Sequence, residues 1–172
     1  DMDIGKKCLF YTHFAVAMFS AASLFGKFIN QPAFVIVAGR LLFSSMTILI
    51  YLKIRNISVK MNDKKAYFSM VLLGVTLAVH WIAFYSSVQA STVAITLLTF
   101  STCPIFTTFL EPLFFKSKIH NKDIMTAAVA FLGVVFVAPV NNFSFCLLIG
   151  FVEGIFSGLT FSFLSIIEKK YA

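Results

Sequence analysis

Three ionisable side chains, Arg40, His80 and Glu153, stand inside long apolar runs of a 172-residue chain. A charge in such a run costs at least about 2.5–3.5 kcal/mol in a bilayer on insertion scales, so it is expected to face a partner or a cavity. Each of the three lies about seven or eight residues from the outer end of its run, or about 10–12 Å deep at the helical rise. Three segments thus place ionisable groups in one layer. An Arg40–Glu153 pair would remove most of the penalty, and His80 is expected either to stay neutral or to titrate nearby, since an unperturbed imidazole changes charge near physiological pH. If the pair walls a cavity, the Arg40 fork suits the carboxylate or phosphate of an anionic or zwitterionic metabolite. Trp81 and Tyr85 would add flat apolar contact and a polar tip. A purely structural polar cluster is the competing reading.

A second surface is the run Thr92, Thr96, Thr99, Cys103 and Thr107, spaced by three or four residues and so on one helix face until Pro104 disturbs the register. The proline leaves a carbonyl without its helical partner, and hydroxyls can bond to it. Thr96 and Thr99 are therefore candidate pathway residues, with helix–helix hydrogen bonding as the alternative. Gly150, Gly154 and Gly158 form a GxxxGxxxG face that permits close backbone approach, for packing between halves or a dimer contact. Lys27 is expected to snorkel to the outer interface. Glu111 is expected to cap a kinked helix or meet the inner basic loops, and His13 to pack. Cys8, Cys103 and Cys146 are too scattered for a metal site and read as small hydrophobes. Metal-dependent lipid chemistry would want clustered aspartates, but Asp1, Asp3, Asp63 and Asp123 all fall outside the apolar runs. No P-loop and no nucleophile–base spacing occurs. The chain is expected to be no enzyme and to need neither cofactor nor metal.

The elements that must position these residues follow from composition. Hydrophobic residues make up 59% of the chain and charged ones 12%, and the mean hydropathy is +0.92. Soluble domains run near 45–50% apolar and about 25% charged, and a small domain cannot hide such an excess. The fold class expected is all-α, a polytopic helical membrane protein. A hydrocarbon core about 30 Å thick needs roughly 20 apolar residues per crossing. Six runs qualify, at about 8–29, 33–52, 66–88, 92–115, 124–140 and 145–167. Asn30-Gln31-Pro32, the polar stretch 56–65, Ser86–Ser91, Lys116–Asp123 and Pro139–Ser144 separate them.

The net charge of +7 and pI near 9.5 acquire meaning from position. Lys6, Lys7, Lys53, Arg55, Lys60, Lys64, Lys65, Lys116, Lys118, Lys122, Lys169 and Lys170 all fall in loops of one side, and the opposite loops carry none. This is the positive-inside pattern, with both termini expected in the cytoplasm. It also removes nucleic acid as a partner, since that would need a basic face. There is no cleavable signal pattern, and residue 1 is Asp, so a fragment or a start at Met2 is expected.

Phe14–Ala21 and Phe151–Gly158 share three identities, at Phe14/Phe151, Phe19/Phe156 and Ser20/Ser157. The echo implies a repeat unit of five helices, and an odd unit inverts its next copy, the logic of inverted-repeat transporters. Three stretches carry a family resemblance: Phe84-Tyr85-Ser86-Ser87-Val88-Gln89-Ala90-Ser91-Thr92-Val93-Ala94, then FSTCPIFTTFLEPLFFKSKI (100–119), then TAAVAFLGVVFVA (126–138). Together they resemble the EamA domain of the drug/metabolite transporter superfamily. In that family a span with a central proline (here Pro104) ends in an apolar run (Leu113-Phe114-Phe115). A short charged turn (Lys116-Ser117-Lys118) and a glycine-bearing fifth helix (Gly133) follow. Arg40 sits where many members carry an arginine. The usual acidic residue after the fourth helix is replaced by Ser117, with Glu111 as a candidate substitute. Members typically have ten spans, and six are read here.

The resemblance implies residues 1–140 as one EamA-like repeat and 141–172 as the first helix of a truncated second. The expected function is a multi-pass secondary transporter, or permease. It would move a small metabolite, amino-acid-like compound or drug across the plasma membrane, a bacterial inner membrane, by alternating access. Arg40, His80, Trp81, Tyr85, Thr96, Thr99 and Glu153 are the expected substrate contacts. Partners are the small-molecule substrate, the lipid bilayer, and either a second copy or the missing second-half helices. The alternative is a non-transporting scaffold, a dimerising subunit, or an inactive fragment of a ten-helix transporter.

Overall fold

A computed structural model describes residues 4–58, 63–137 and 144–171. All regular structure among them is helical: α1 (Ile4–Phe28), α2 (Ala33–Ile54), α3 (Lys64–Ala90), α4 (Val93–Phe100), α5 (Cys103–Phe115), α6 (Asn121–Val137) and α7 (Phe145–Tyr171). Five segments are long and apolar enough to cross a membrane: 5–28, 33–54, 64–90, 93–115 and 145–171. The run read at 124–140 is helix α6, 17 residues long, with 138–140 outside the described residues.

The helix ends follow local chemistry. Pro32, with its fixed φ and missing donor, precedes α2. That helix closes in a Schellman motif: Asn56 takes a left-handed φ of 53°, Ile57 N–H reaches Leu52 O at 3.0 Å and Asn56 N–H reaches Lys53 O at 3.2 Å. The Asp63 carboxylate caps α3 by accepting from Lys65 N–H at 2.9 Å, and the Thr92 hydroxyl caps α4 by accepting from Ile95 N–H at 3.2 Å. Pro104 opens α5. It cannot donate to Phe100 O, so the fourth span is two helices joined by a turn at Ser101-Thr102, a stronger break than a kink.

Helix α7 packs against α3, α4 and α5, while α1 and α2 pack on α3 and α6 packs on α5. Ser87 meets Gly150 and His80 meets Ser157, so α3 and α7 run antiparallel. Lys27 meets Val88 and Phe19 meets Trp81, so α1 runs parallel to α3. These directions bring Lys6, Lys64, Lys116 and Lys169 to one end of the bundle, and Lys27 to the other.

Candidate functional site

Helix α3 is a wall with two occupied faces. Residues 81, 85 and 88 look toward α1 and α2, and residues 80, 84, 87 and 91 toward α4 and α7. The two faces are set by the helical period: neighbouring residues differ by about 100° in direction. All of these residues are buried.

On the first face, the Arg40 guanidinium lies over the Trp81 ring, 3.9 Å from its centroid, and its Nη1 donates to the Tyr85 hydroxyl at 2.8 Å. Trp81 and Tyr85, one turn apart, stack with centroids at 5.7 Å. A half-buried cation on an indole face gains about 0.5–2 kcal/mol, and the hydroxyl fixes the direction of the fork. The Tyr85 ring packs directly on Gly26, where an added Cβ would collide with it. A groove of about 440 Å³ opens between α1 and α2. Its lining includes Phe25, Gly26, Val35, Gly39, Arg40 and Tyr85. Among the described residues no carboxylate pairs with Arg40. The expected Arg40–Glu153 pair is therefore not formed: the two residues share a depth but not a direction, and Arg40 turns to the aromatic side of α3.

On the second face lies a buried polar seam. The Ser87 hydroxyl donates to Gly150 O at 2.6 Å, so Thr96, 2.8 Å away, is the donor between those two hydroxyls. The Thr99 hydroxyl bonds back to Ile95 O at 2.8 Å and packs on Gly154. Ser162 donates to Cys103 O at 2.9 Å, bridging α7 to the start of α5. His80 is fully buried among the rings of Trp81, Phe84, Phe100 and Phe161, at 5.0–6.2 Å between centroids. Its Nδ1 lies 3.0 Å from Ser157 O and 3.1 Å from Ser157 Oγ. Glu153 sits one turn before Ser157 on the same helix.

The seven expected contact residues thus divide. Arg40, Trp81 and Tyr85 come together beside the groove; His80, Thr96, Thr99 and Glu153 belong to the α3–α4–α7 packing. Thr96 and Thr99 are both fully buried, and their hydroxyls serve helix contacts. Ser87, Ser157, Ser162 and Gly26 escaped sequence reasoning. Ser87 lies seven residues after His80 and Ser157 seven after Gly150, and the same helical period that exposed the threonine stripe would have marked both.

Three other residues take particular places. Lys27 is exposed at the outer end of the bundle and caps its neighbour there: its Nζ donates to Val88 O at 2.9 Å, Gln89 O at 3.2 Å and Ser91 O at 2.7 Å. These are carbonyls at and just beyond the end of α3, where a cation also meets the negative end of the helix dipole. Glu111 meets the basic end as an ion pair with Lys169. His13 is exposed and bonds back to Leu9 O at 2.8 Å, rather than packing.

Comparison with known proteins gives two similarities. The sequence profile of the EamA-like transporter family matches residues 6–138. An uncharacterized transporter of Helicobacter pylori (strain J99 / ATCC 700824) is 30% identical over 112 residues, covering 63% of this chain and 36% of that protein. The chain thus spans about a third of the length of the curated relative it matches. No solved structure matches.

Proposed function

The chain belongs to the EamA-like transporter family, and from that premise we propose that it is the first half of a secondary transporter for a small anionic or zwitterionic metabolite. The observation that carries this reading is the Arg40 guanidinium. It is held by Trp81 and Tyr85 beside the α1–α2 groove and has no carboxylate among the described residues as its counter-ion. A half-buried cation with its fork oriented and no anion among the described residues is ready for a carboxylate or phosphate, because such a ligand supplies the missing charge and two parallel acceptors. The apolar groove walls would take the rest of the solute.

The reading includes six crossings, with α6 the fifth, and α7 as the opening helix of an inverted second repeat. Helix α7 runs opposite to α1, the direction an inverted copy requires. Alternating access would then move the second half against the first around the groove. The one-sided basic residues favour both termini in the cytoplasm of a bacterial inner membrane. A scaffold that dimerises through the glycine face finds less support, because Gly150, Gly154 and Gly158 are all buried against the chain's own Ser91, Thr99 and Thr102.

The test is solute uptake by vesicles containing the full-length protein, screened across carboxylates and phosphate esters. For the solute transported, Arg40→Gln is expected to lower affinity at least about tenfold, or 1.4 kcal/mol. Arg40→Lys, which keeps the charge without the fork, should restore only part of it. Unchanged affinity in both variants overturns the assignment.

A further inference from the structure

The α1–α2 groove carries more information than its single guanidinium, because its walls limit what can accompany an anion there. Val35, Ile36, Gly39, Arg40 and Phe43 are related by three- and four-residue steps and share one face of α2, and all five line the groove. From Val35 to Phe43 that face is about 12 Å long at the helical rise. Phe25 and Ile29 of α1 stand opposite, and Gln31 lies at the outer end. Around the Arg40 fork the walls are thus hydrocarbon, apart from the Tyr85 hydroxyl that orients it.

Two glycines line this groove, and they differ. At Gly26 the missing side chain makes room for the Tyr85 ring. At Gly39 an added Cβ meets nothing within 4 Å, so no neighbouring helix among the described residues fills the space. A glycine inside a helix weakens it relative to alanine, and no packing among the described residues offsets that loss here. Gly39 precedes Arg40, and its bare backbone faces the groove. Such a position allows a ligand to lie close against the helix.

We propose that the groove selects an apolar monocarboxylate, with its carboxylate on the Arg40 fork and its hydrocarbon body over Gly39, and that Gly39 sets the size of body admitted. The proposal deepens the transport reading above and rests on it. One guanidinium balances one negative charge, so a carboxylate leaves the site neutral. A phosphate monoester carries about −1.5 to −2 at neutral pH and leaves an excess. An α-amino acid holds its ammonium within two bonds of the carboxylate carbon. That ammonium would stand beside a like charge and against hydrocarbon, losing water for walls that return no charge. The Trp81 face that could receive a cation is already covered by Arg40.

The test is calorimetric titration of the full-length protein in lipid nanodiscs with two probes, 3-phenylpropionate and phenylalanine, which share one skeleton and differ by the ammonium. Phenylpropionate is expected to bind at least about tenfold more tightly, and to lose at least about tenfold in Arg40→Gln. Gly39→Ala should lower its affinity about three- to tenfold, near the low end of what one methylene decides in an apolar pocket, and Gly39→Leu should lower it further. The melting temperature of Gly39→Ala should not fall. Phenylalanine bound as tightly as phenylpropionate overturns the proposal, as does binding that survives Arg40→Gln, which is partition into the bilayer. Affinity unchanged in Gly39→Ala, or a lowered melting temperature there, also overturns it, the latter by assigning the space to packing within the full-length chain. A protein that ignores phenylpropionate yet transports another anion in an Arg40-dependent way overturns this inference alone, whereas independence of Arg40 for every solute overturns the transport reading with it.

Discussion

At the scale of single residues, Tyr85 joins three functions: it orients Arg40, stacks on Trp81 and fills the space that Gly26 leaves open. Tyr85→Phe keeps the ring and removes only the hydroxyl. It should destabilise the protein by about 1 kcal/mol, the net worth of a typical hydrogen bond, while lowering solute affinity more than this implies because the Arg40 fork loses its direction. Thermal unfolding in detergent alongside uptake kinetics reads both. At Gly26 an added methyl overlaps the Tyr85 ring, and at Gly74 it meets open space. Gly26→Ala should therefore cost about 1–3 kcal/mol by overpacking, whereas Gly74→Ala, inside α3 with free space, should raise the melting temperature slightly through alanine's helix preference. That Arg40, Trp81 and Tyr85 lie together was legible from residue type and depth. Their separation from His80 and Glu153 was not, because depth is a property of one helix whereas direction depends on which helices cover each face. Positions 80 and 81 are neighbours in sequence yet serve opposite sides of α3.

At the scale of elements, the glycine face of α7 and the break between α4 and α5 fit each other. A Cβ at Gly158 would come within 3.1 Å of Phe100 O and 3.3 Å of Cys103 N, backbone atoms that cannot rotate away as a side chain can. Gly158→Leu should thus separate α7 from the α4–α5 turn and prevent a stable fold, read as loss of the monodisperse detergent-solubilised species. Lys27→Met removes the donor shared by three carbonyls at the end of α3. This should cost about 1 kcal/mol, within the range for a cation at a helix C-terminus, and raise hydrogen exchange in the 85–92 segment. Pro104 and the Gly-x-x-x-Gly spacing announced both features in the sequence. The capping role of Lys27 was hidden because its acceptors lie more than sixty positions away, and a lone lysine near a span end has an ordinary interfacial reading.

At the scale of the whole molecule, the helix directions gather the basic residues at one end of the bundle, as the loop positions of the lysines imply. Single cysteines at Lys118 and Gln31 should therefore label from opposite sides of the membrane. The larger claim is that α3 divides the protein into a groove that admits solute and a seam that excludes water. Labelling by a membrane-impermeant thiol reagent tests this most directly, in a background with Cys8, Cys103 and Cys146 replaced by serine. Gly39→Cys places its thiol in the groove lining, where an added Cβ meets nothing; Thr96→Cys places it in the fully buried seam. The account predicts rapid modification at position 39, none at position 96, and slower modification at 39 when a transported solute is present. Modification at position 96 with protection at 39 would contradict it and move the solute path to the other face of α3.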